Sequence, residues 1–269
     1  MENKIIGFIG SGNMGSAMIK GILASKLADA SQIIASAKTQ ATLDQLKADC
    51  GIETTLSNLT VAEKSDILFL AVKPYLYESV IREIRDAITD DQIIVAIAAG
   101  QNIEKIEGAF GKPVKLVRTM PNTPAMVAEA MSALVPNENI TEDDLSLVTR
   151  IFESFGKAEV VPESLMDAVT GVSGSSPAYV YMFIEAMADA AVADGMPRTQ
   201  AYKFAAQSVL GAAKMVLETG KHPGELKDAV CSPGGTTIAA VAKLEEGGLR
   251  NTVIQAQRAC TEKSREMSK

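Results

Sequence analysis

The sequence is short of the residues that usually carry metal and acid–base chemistry. It holds one histidine, His222, and three cysteines, Cys50, Cys231 and Cys260, scattered with no CxxC pair. That set cannot supply a zinc cage or a Ser-His-Asp arrangement, and no disulfide framework is expected; unpaired thiols suit a reducing cytoplasm. Tryptophan is absent, and aromatic residues make up only 4% of the 269. No run of 18 apolar residues is free of charge. The longest candidate, 178–193, is interrupted by Glu185 and Asp189 and reads as a buried helix rather than a membrane span. A formal net charge of -7 argues against a nucleic-acid partner, which demands a basic face. The chain enters its first apolar run with no basic leader, so a secretory signal is not expected.

What is present is a globular balance, 47% hydrophobic and 22% charged, in a length that suits two domains. Short β-branched runs alternate with helical patterns in the first half. KIIGFIG (4–10), QIIAS (32–36), DILFLAV (66–72), IIVAIA (93–98) and VKLVRT (114–119) predict buried strands. Residues 14–26, 40–50 and 75–88 predict helices, the second stopped by Gly51. Repeated βα units with continuous apolar strands imply a parallel sheet covered on both faces, an α/β, doubly wound Rossmann-type domain over 1–162. Beyond Pro162 the strand pattern ends, and an all-α domain is expected over 163–269. Its helices are broken at SGSSP (173–177), GMP (195–197), GKHPG (220–224) and SPGG (232–235), where Gly and Pro end one helix and open another. They carry too few polar positions for one small bundle to cover, so an interface with a second chain is expected. Met182, Met187 and Met215 read as core or interface filler.

Gly10-Ser11-Gly12-Asn13-Met14-Gly15 matches GxGxxG between a predicted strand and a predicted helix, the context in which the pattern binds a dinucleotide. Gly10 makes the tight turn, Gly12 admits the pyrophosphate to the backbone, and Gly15 lets helix and strand pack closely. The pyrophosphate then lies at the positive end of the helix. The second strand ends in Ser36-Ala37-Lys38-Thr39, where NAD sites place an acid for the ribose. An acid would repel a 2′-phosphate, whereas hydroxyls and a cation accept it. NADPH is therefore expected, with NADH as the alternative; the plainer reading is a strand end and a solvated lysine. Ala71-Val72-Lys73-Pro74 falls at the carboxyl rim of a strand, where open α/β sheets bind ligands. Ala98, Ala99 and Gly100 end the next strand with small residues that leave room for a cofactor. Met120-Pro121-Asn122-Thr123-Pro124 follows another strand, as a rigid loop beneath a nicotinamide ring or as an ordinary turn.

A second glycine-rich turn leads into a helix at Ser232-Pro233-Gly234-Gly235-Thr236-Thr237. Its unhindered N–H groups make an anion site; the alternative is that Thr236 or Thr237 merely caps the helix.

GFIGSGNMGSAM, LFLAVKP, RTMPNTP, DAVTGVSGSSPAYVY and LKDAVCSPGGTTIAAV occur in this order. Over 4–265 the chain resembles the pyrroline-5-carboxylate reductases, which make proline from Δ1-pyrroline-5-carboxylate with NAD(P)H. The resemblance implies a Rossmann domain followed by a dimerisation domain whose helices interleave with a partner's; some members assemble dimers into decamers. It implies that Ser36 and Asn58 lie near the 2′-phosphate and ribose, and that Ala71 to Pro74 line the cofactor. It further implies that the backbone amides of 232–237 bind the substrate carboxylate. Thr237 matches the threonine that hydrogen-bonds the ring nitrogen, which makes it the orienting group and a candidate proton donor beside water. Ser176 stands where many members have glycine; with Ser175 it either faces the same pocket or caps a helix. A protonated imine is itself the electrophile and needs no strong acid, which agrees with a chain whose one histidine, His222, reads as part of a helix connector. A β-hydroxyacid dehydrogenase would use a lysine on the helix after SGSSP, and 178–194 contains none. A scaffold that senses NADPH without turnover would tolerate a degraded 231–237 loop, and that loop is intact.

Overall fold

A computed structural model describes residues 4–268. In chain order it forms β1 (Ile6–Ile9), α1 (Asn13–Ala24), β2 (Ile33–Ser36), α2 (Gln40–Cys50), β3 (Glu53–Thr55), α3 (Asn58–Lys64) and β4 (Ile67–Leu70). Then come α4 (Tyr77–Ile84), β5 (Ile93–Ala96), α5 (Ile103–Phe110), β6 (Lys115–Met120), β7 (Ala130–Pro136), α6 (Glu142–Glu153) and β8 (Gly156–Val160). Helices alone follow: α7 (Met166–Val169), α8 (Ser176–Ala193), α9 (Arg198–Thr219), α10 (Pro223–Ala229), α11 (Thr236–Glu246) and α12 (Leu249–Ser268).

The eight strands form one sheet in the order β3-β2-β1-β4-β5-β6-β7-β8. Strand β1 pairs in parallel with both β2 and β4, so the order reverses there, at the switch point where such sheets bind ligands. Strands β1, β2, β4 and β5 are buried throughout, as their unbroken apolar runs require. The parallel run ends at β6, however, because β7 lies antiparallel to it. Helices cover both faces. On one, Phe8, Phe69, Phe152 and Phe155 run from sheet to α6, with Phe8 and Phe69 stacked 4.6 Å apart between centroids. On the other, Tyr77, Val80, Ile81 and Ile84 of α4 pack on Leu68, Leu70 and Ile94.

The chain divides into two compact units, one running to Ser175 and taking back the chain from Cys260, the other spanning Ser176–Ala259. The sheet ends near the 162/163 division drawn from the strand pattern, but packing carries the first unit further. Met166 is buried against Ala133 and Val135, Ser264 donates to the Asp167 carboxylate at 2.6 Å, and the Cys260 thiol lies 3.1 Å from the Ser175 hydroxyl.

The second unit holds α8–α11 and the first part of α12. Its buried apolar side chains are Ala188, Ala201 and Ala205. The expectation of a buried helix over 178–193 is not met within one chain: Tyr181 is 61% and Met182 70% exposed, and Met187 and Met215 also lie open. These methionines are therefore not core, because α8 and α9 pair with each other and leave their outer faces without a layer to cover them. Among the described residues no helix is long and apolar enough to cross a membrane.

Candidate active site

The first glycine turn is built by close approach. Gly10 stands at φ +101, and a Cβ there would come within 2.6 Å of the Ala71 carbonyl oxygen; a Cβ on Gly15 would lie 2.4 Å from the Gly10 carbonyl oxygen. These two glycines let β1, α1 and the end of β4 meet. Gly12 is different: it is exposed, and a Cβ there would meet nothing within 4 Å. Gly12 is the N-cap of α1, makes no side-chain capping bond, and is followed by no acid in the first turn. The leading N–H groups, Asn13's among them, therefore face open space with a positive partial charge, which fits a pyrophosphate. Met14 is half-buried behind them. Ser11 ties the turn down by donating to the Ser36 carbonyl at 2.8 Å.

At the end of β2 the side chains are arranged differently from the expectation. Ser36 is fully buried, and its hydroxyl donates to Asn58 Oδ1 at 2.7 Å. Asn58 in turn donates to Glu83 Oε2 at 2.9 Å. The alternation of the strand turns Ser36 inward, so it orients Asn58 instead of presenting its own hydroxyl, while Lys38 is exposed two residues on. Glu83 is a participant that the sequence did not single out.

At the ends of β4 and β5, Ala71, Val72 and Pro74 are half-buried and Lys73 exposed; Ala98 and Gly100 are buried and Ala99 half-buried. A Cβ on Gly100 would lie 3.0 Å from that of Met267, so the last turns of α12 close this edge of the first unit. Met120 packs against Gly174. Pro121 is buried, and the Asn122 amide is committed within the protein, donating to the Ser173 carbonyl and accepting from the Met131 N–H, both at 3.0 Å. Asn122 thus holds the loop in place. Tyr77, another residue the sequence reading passed over, is buried between the two strand ends and makes three hydrogen bonds there. Nothing local in the sequence marked it: the phenol directly after VKP is Tyr75, which is 80% exposed, and it is burial that obliges the Tyr77 hydroxyl to find partners.

The second glycine turn repeats the features of the first. Gly235 is the N-cap of α11, with no side-chain capping bond and no acid in the first turn. Its N–H donates to the Ser232 carbonyl at 3.0 Å, and Gly234 sits at φ +69. Ser232, Pro233, Gly234 and Thr236 are exposed, and Thr237 is half-buried. Both threonines lie inside the helix, past the cap, so the capping alternative is not what they do. The half-buried Ser176 opens α8, whereas the Ser175 hydroxyl is met by the Cys260 thiol. His222 is the N-cap of α10, its Nδ1 accepting from the Gly224 N–H at 3.0 Å; the connector reading describes it.

Residues 163–267 match the profile of a family described as pyrroline-5-carboxylate reductase dimerisation. Residues 5–100 match one described as NADP oxidoreductase, coenzyme F420-dependent. A pyrroline-5-carboxylate reductase of Escherichia coli (strain K12) is 52% identical over 269 residues, covering all of both chains. The chain belongs to the pyrroline-5-carboxylate reductase family. Two solved members share its fold over the full length of both chains: one from Coxiella burnetii, 35% identical with a TM-score of 0.91, and one from Plasmodium falciparum with NADP bound, 34% identical with a TM-score of 0.90. The under-covered helices of the second unit lie within the dimerisation region of this reductase family.

Proposed function

We propose that the chain reduces the C=N bond of Δ1-pyrroline-5-carboxylate to give L-proline, the last step of proline biosynthesis, with NADPH as donor and NADH as the alternative. The observation that carries this reading is the pair of glycine turns, each opening a helix whose N-terminus lacks any side-chain cap. Two anions need two such places: a cofactor pyrophosphate at Gly10 to Gly15 and a substrate carboxylate at Ser232 to Thr237. When bound, the reduced nicotinamide supplies the hydride.

The protein's own part is placement. Asn58, set by Ser36, and the exposed Lys38 receive the ribose and its 2′-phosphate. The N–H groups of Gly234, Thr236 and Thr237 hold the carboxylate, the Gly235 N–H being taken by the Ser232 carbonyl, and the Thr237 hydroxyl accepts from the iminium N–H, presenting the ring carbon to the donor. After reduction the ring nitrogen is an amine that takes its proton from water or through Thr237. Residues 1–162 form the cofactor domain and 163–269 the dimerisation and substrate domain. The assembly is a homodimer through the C-terminal helices, with a decamer built from such dimers as the larger form. Free thiols at Cys50, Cys231 and Cys260 favour a cytoplasmic enzyme.

NADPH oxidation followed with Δ1-pyrroline-5-carboxylate is expected to show turnover, and NADP reduction with 3-hydroxyisobutyrate none. Tight NADPH binding without turnover on either substrate overturns the reading. Thr237→Ala is expected to raise KM or lower kcat at least several-fold while leaving NADPH affinity unchanged; unaltered kinetics would remove Thr237 from the site.

A further inference from the structure

Strands β4 and β5 pair from Ile67 with Ile93 to Leu70 with Ala96. The rungs are set in phase by the Ile93 N–H, which donates to the Asp66 carbonyl at 2.9 Å. By the two-residue repeat of a parallel ladder, the Leu70 carbonyl would next take the Ile97 N–H. It does not. The Tyr77 hydroxyl stands in that rung, donating to the Leu70 carbonyl at 2.6 Å and accepting from Ile97 N–H at 3.0 Å and Ala98 N–H at 3.1 Å. Two hydrogen bonds in series replace one of about 2.9 Å, so β4 and β5 part at this point.

The neighbouring junctions behave differently. The Ala71 N–H donates directly to the Ile9 carbonyl at 2.8 Å, and the Gly10 N–H to the Ser36 carbonyl at 3.2 Å. Strand β4 therefore stays joined to β1 by backbone alone, and at its other edge a side chain spaces it from β5. The residues immediately beyond the spacer are Ala71 to Pro74 on one side and Ala98 to Gly100 on the other. Ligands of open α/β sheets lie beyond the carboxyl ends of the strands, in the crevice there.

We propose that Tyr77 is a positioning residue, whose hydroxyl holds the ends of β4 and β5 apart so that these two segments can flank the nicotinamide half of the cofactor. This rests on the cofactor reading above. Tyr77 is 2% exposed, and burial pushes its phenol well above the ordinary tyrosine value; the hydroxyl keeps the proton it gives to Leu70. Without that oxygen the Leu70 carbonyl and Ile97 N–H are free to close on each other, and the Ala98 N–H loses its partner.

The test compares full-length wild type with Tyr77→Phe, titrated with NADPH, NADH and adenosine 2′,5′-bisphosphate. Tyr77→Phe is expected to weaken NADPH and NADH by the same several-fold factor and to bind adenosine 2′,5′-bisphosphate, which has no nicotinamide, as wild type does. A tyrosine that only stabilises the core would lower the melting temperature and leave all three affinities alone, and that result overturns the proposal. Should Tyr77→Phe fail to fold, 3-fluorotyrosine placed at position 77 keeps the hydroxyl and is read by fluorine NMR. Its resonance is expected to move with NADPH and not with adenosine 2′,5′-bisphosphate; no movement with NADPH overturns the proposal. Wild type that fails to bind NADPH defeats the cofactor reading instead, so the two failures are distinguishable.

Discussion

Nearly all the buried apolar side chains belong to the sheet unit, and the helical unit contributes only Ala188, Ala201 and Ala205. Both units are rich in apolar residues, so the difference lies in how many layers each has. In the sheet unit, helices lie on both faces of the strands and each apolar surface finds another from the same chain. In the helical unit, α8 and α9 cover each other's small residues, while Phe204 at 68% and Leu217 at 83% exposure point outward. The glycine turn that fits a dinucleotide sits in a unit that completes its own core. The turn before α11, proposed above to hold the carboxylate, sits in a unit that leaves its outer faces for a second copy to cover.

The largest effect is expected from breaking that dependence. Phe204, with Lys203, Gln207 and Leu210, lines an open groove along α9. A carboxylate there would be buried unpaired in a dimer, at a cost of several kcal/mol. Phe204→Asp is expected to run as a monomer in size-exclusion chromatography with light scattering and to lose turnover; a stable, fully active dimer would break the contrast between the units.

A smaller effect separates the two kinds of glycine in the sheet unit. Gly15→Ala drives a Cβ to 2.4 Å from the Gly10 carbonyl oxygen, and overpacking of this kind costs about 1–3 kcal/mol. Its melting temperature should fall together with NADPH affinity. Gly12→Ala meets no protein atom, so calorimetry should show an unchanged melting temperature while NADPH binding weakens several-fold. Equal loss of stability in both would mean that Gly12 is not held open for a ligand.

The smallest effect concerns the sheet unit alone. Lys115 and Asp144 are 2.9 Å apart and partly buried. Burial pushes the Asp144 carboxyl up, but Lys115 and Thr141 outweigh it and hold it below the usual carboxylate value. A depressed folded-state pKa gives stability that is present above the unfolded value, about 4, and is lost as pH falls through the folded one. Lys115→Met should cost about 1 kcal/mol near neutrality, with a melting-temperature gap to wild type that narrows as the carboxylate protonates and a dimer that stays intact. A gap independent of pH would assign the loss to packing.

Much of the sheet unit was legible because its strands are buried on both faces and therefore carry unbroken apolar runs, as in Ile67–Leu70 and Ile93–Ala96. Gly51, the C-cap of α2 at φ 67, marked that helix end correctly. Strand β3 was not legible, being three residues long with Glu53 exposed, nor was the edge strand β8, whose GKAEV is mostly open. Helix α6 did leave a signal, the capping box of Thr141 and Asp144. In the candidate site, both glycine turns could be read locally, since an uncapped helix start is a property of a few adjacent residues. The work of Ser36, Asn122 and Tyr77 could not, because each role is defined by a partner from a separate element: Asn58, Ser173 and the paired ends of β4 and β5.

The division of labour between the units is tested most directly by measuring NADPH affinity and turnover together on monomeric Phe204→Asp. The expected result is wild-type NADPH affinity with no reduction of Δ1-pyrroline-5-carboxylate. A monomer that still turns over, or one that no longer binds NADPH, would contradict it.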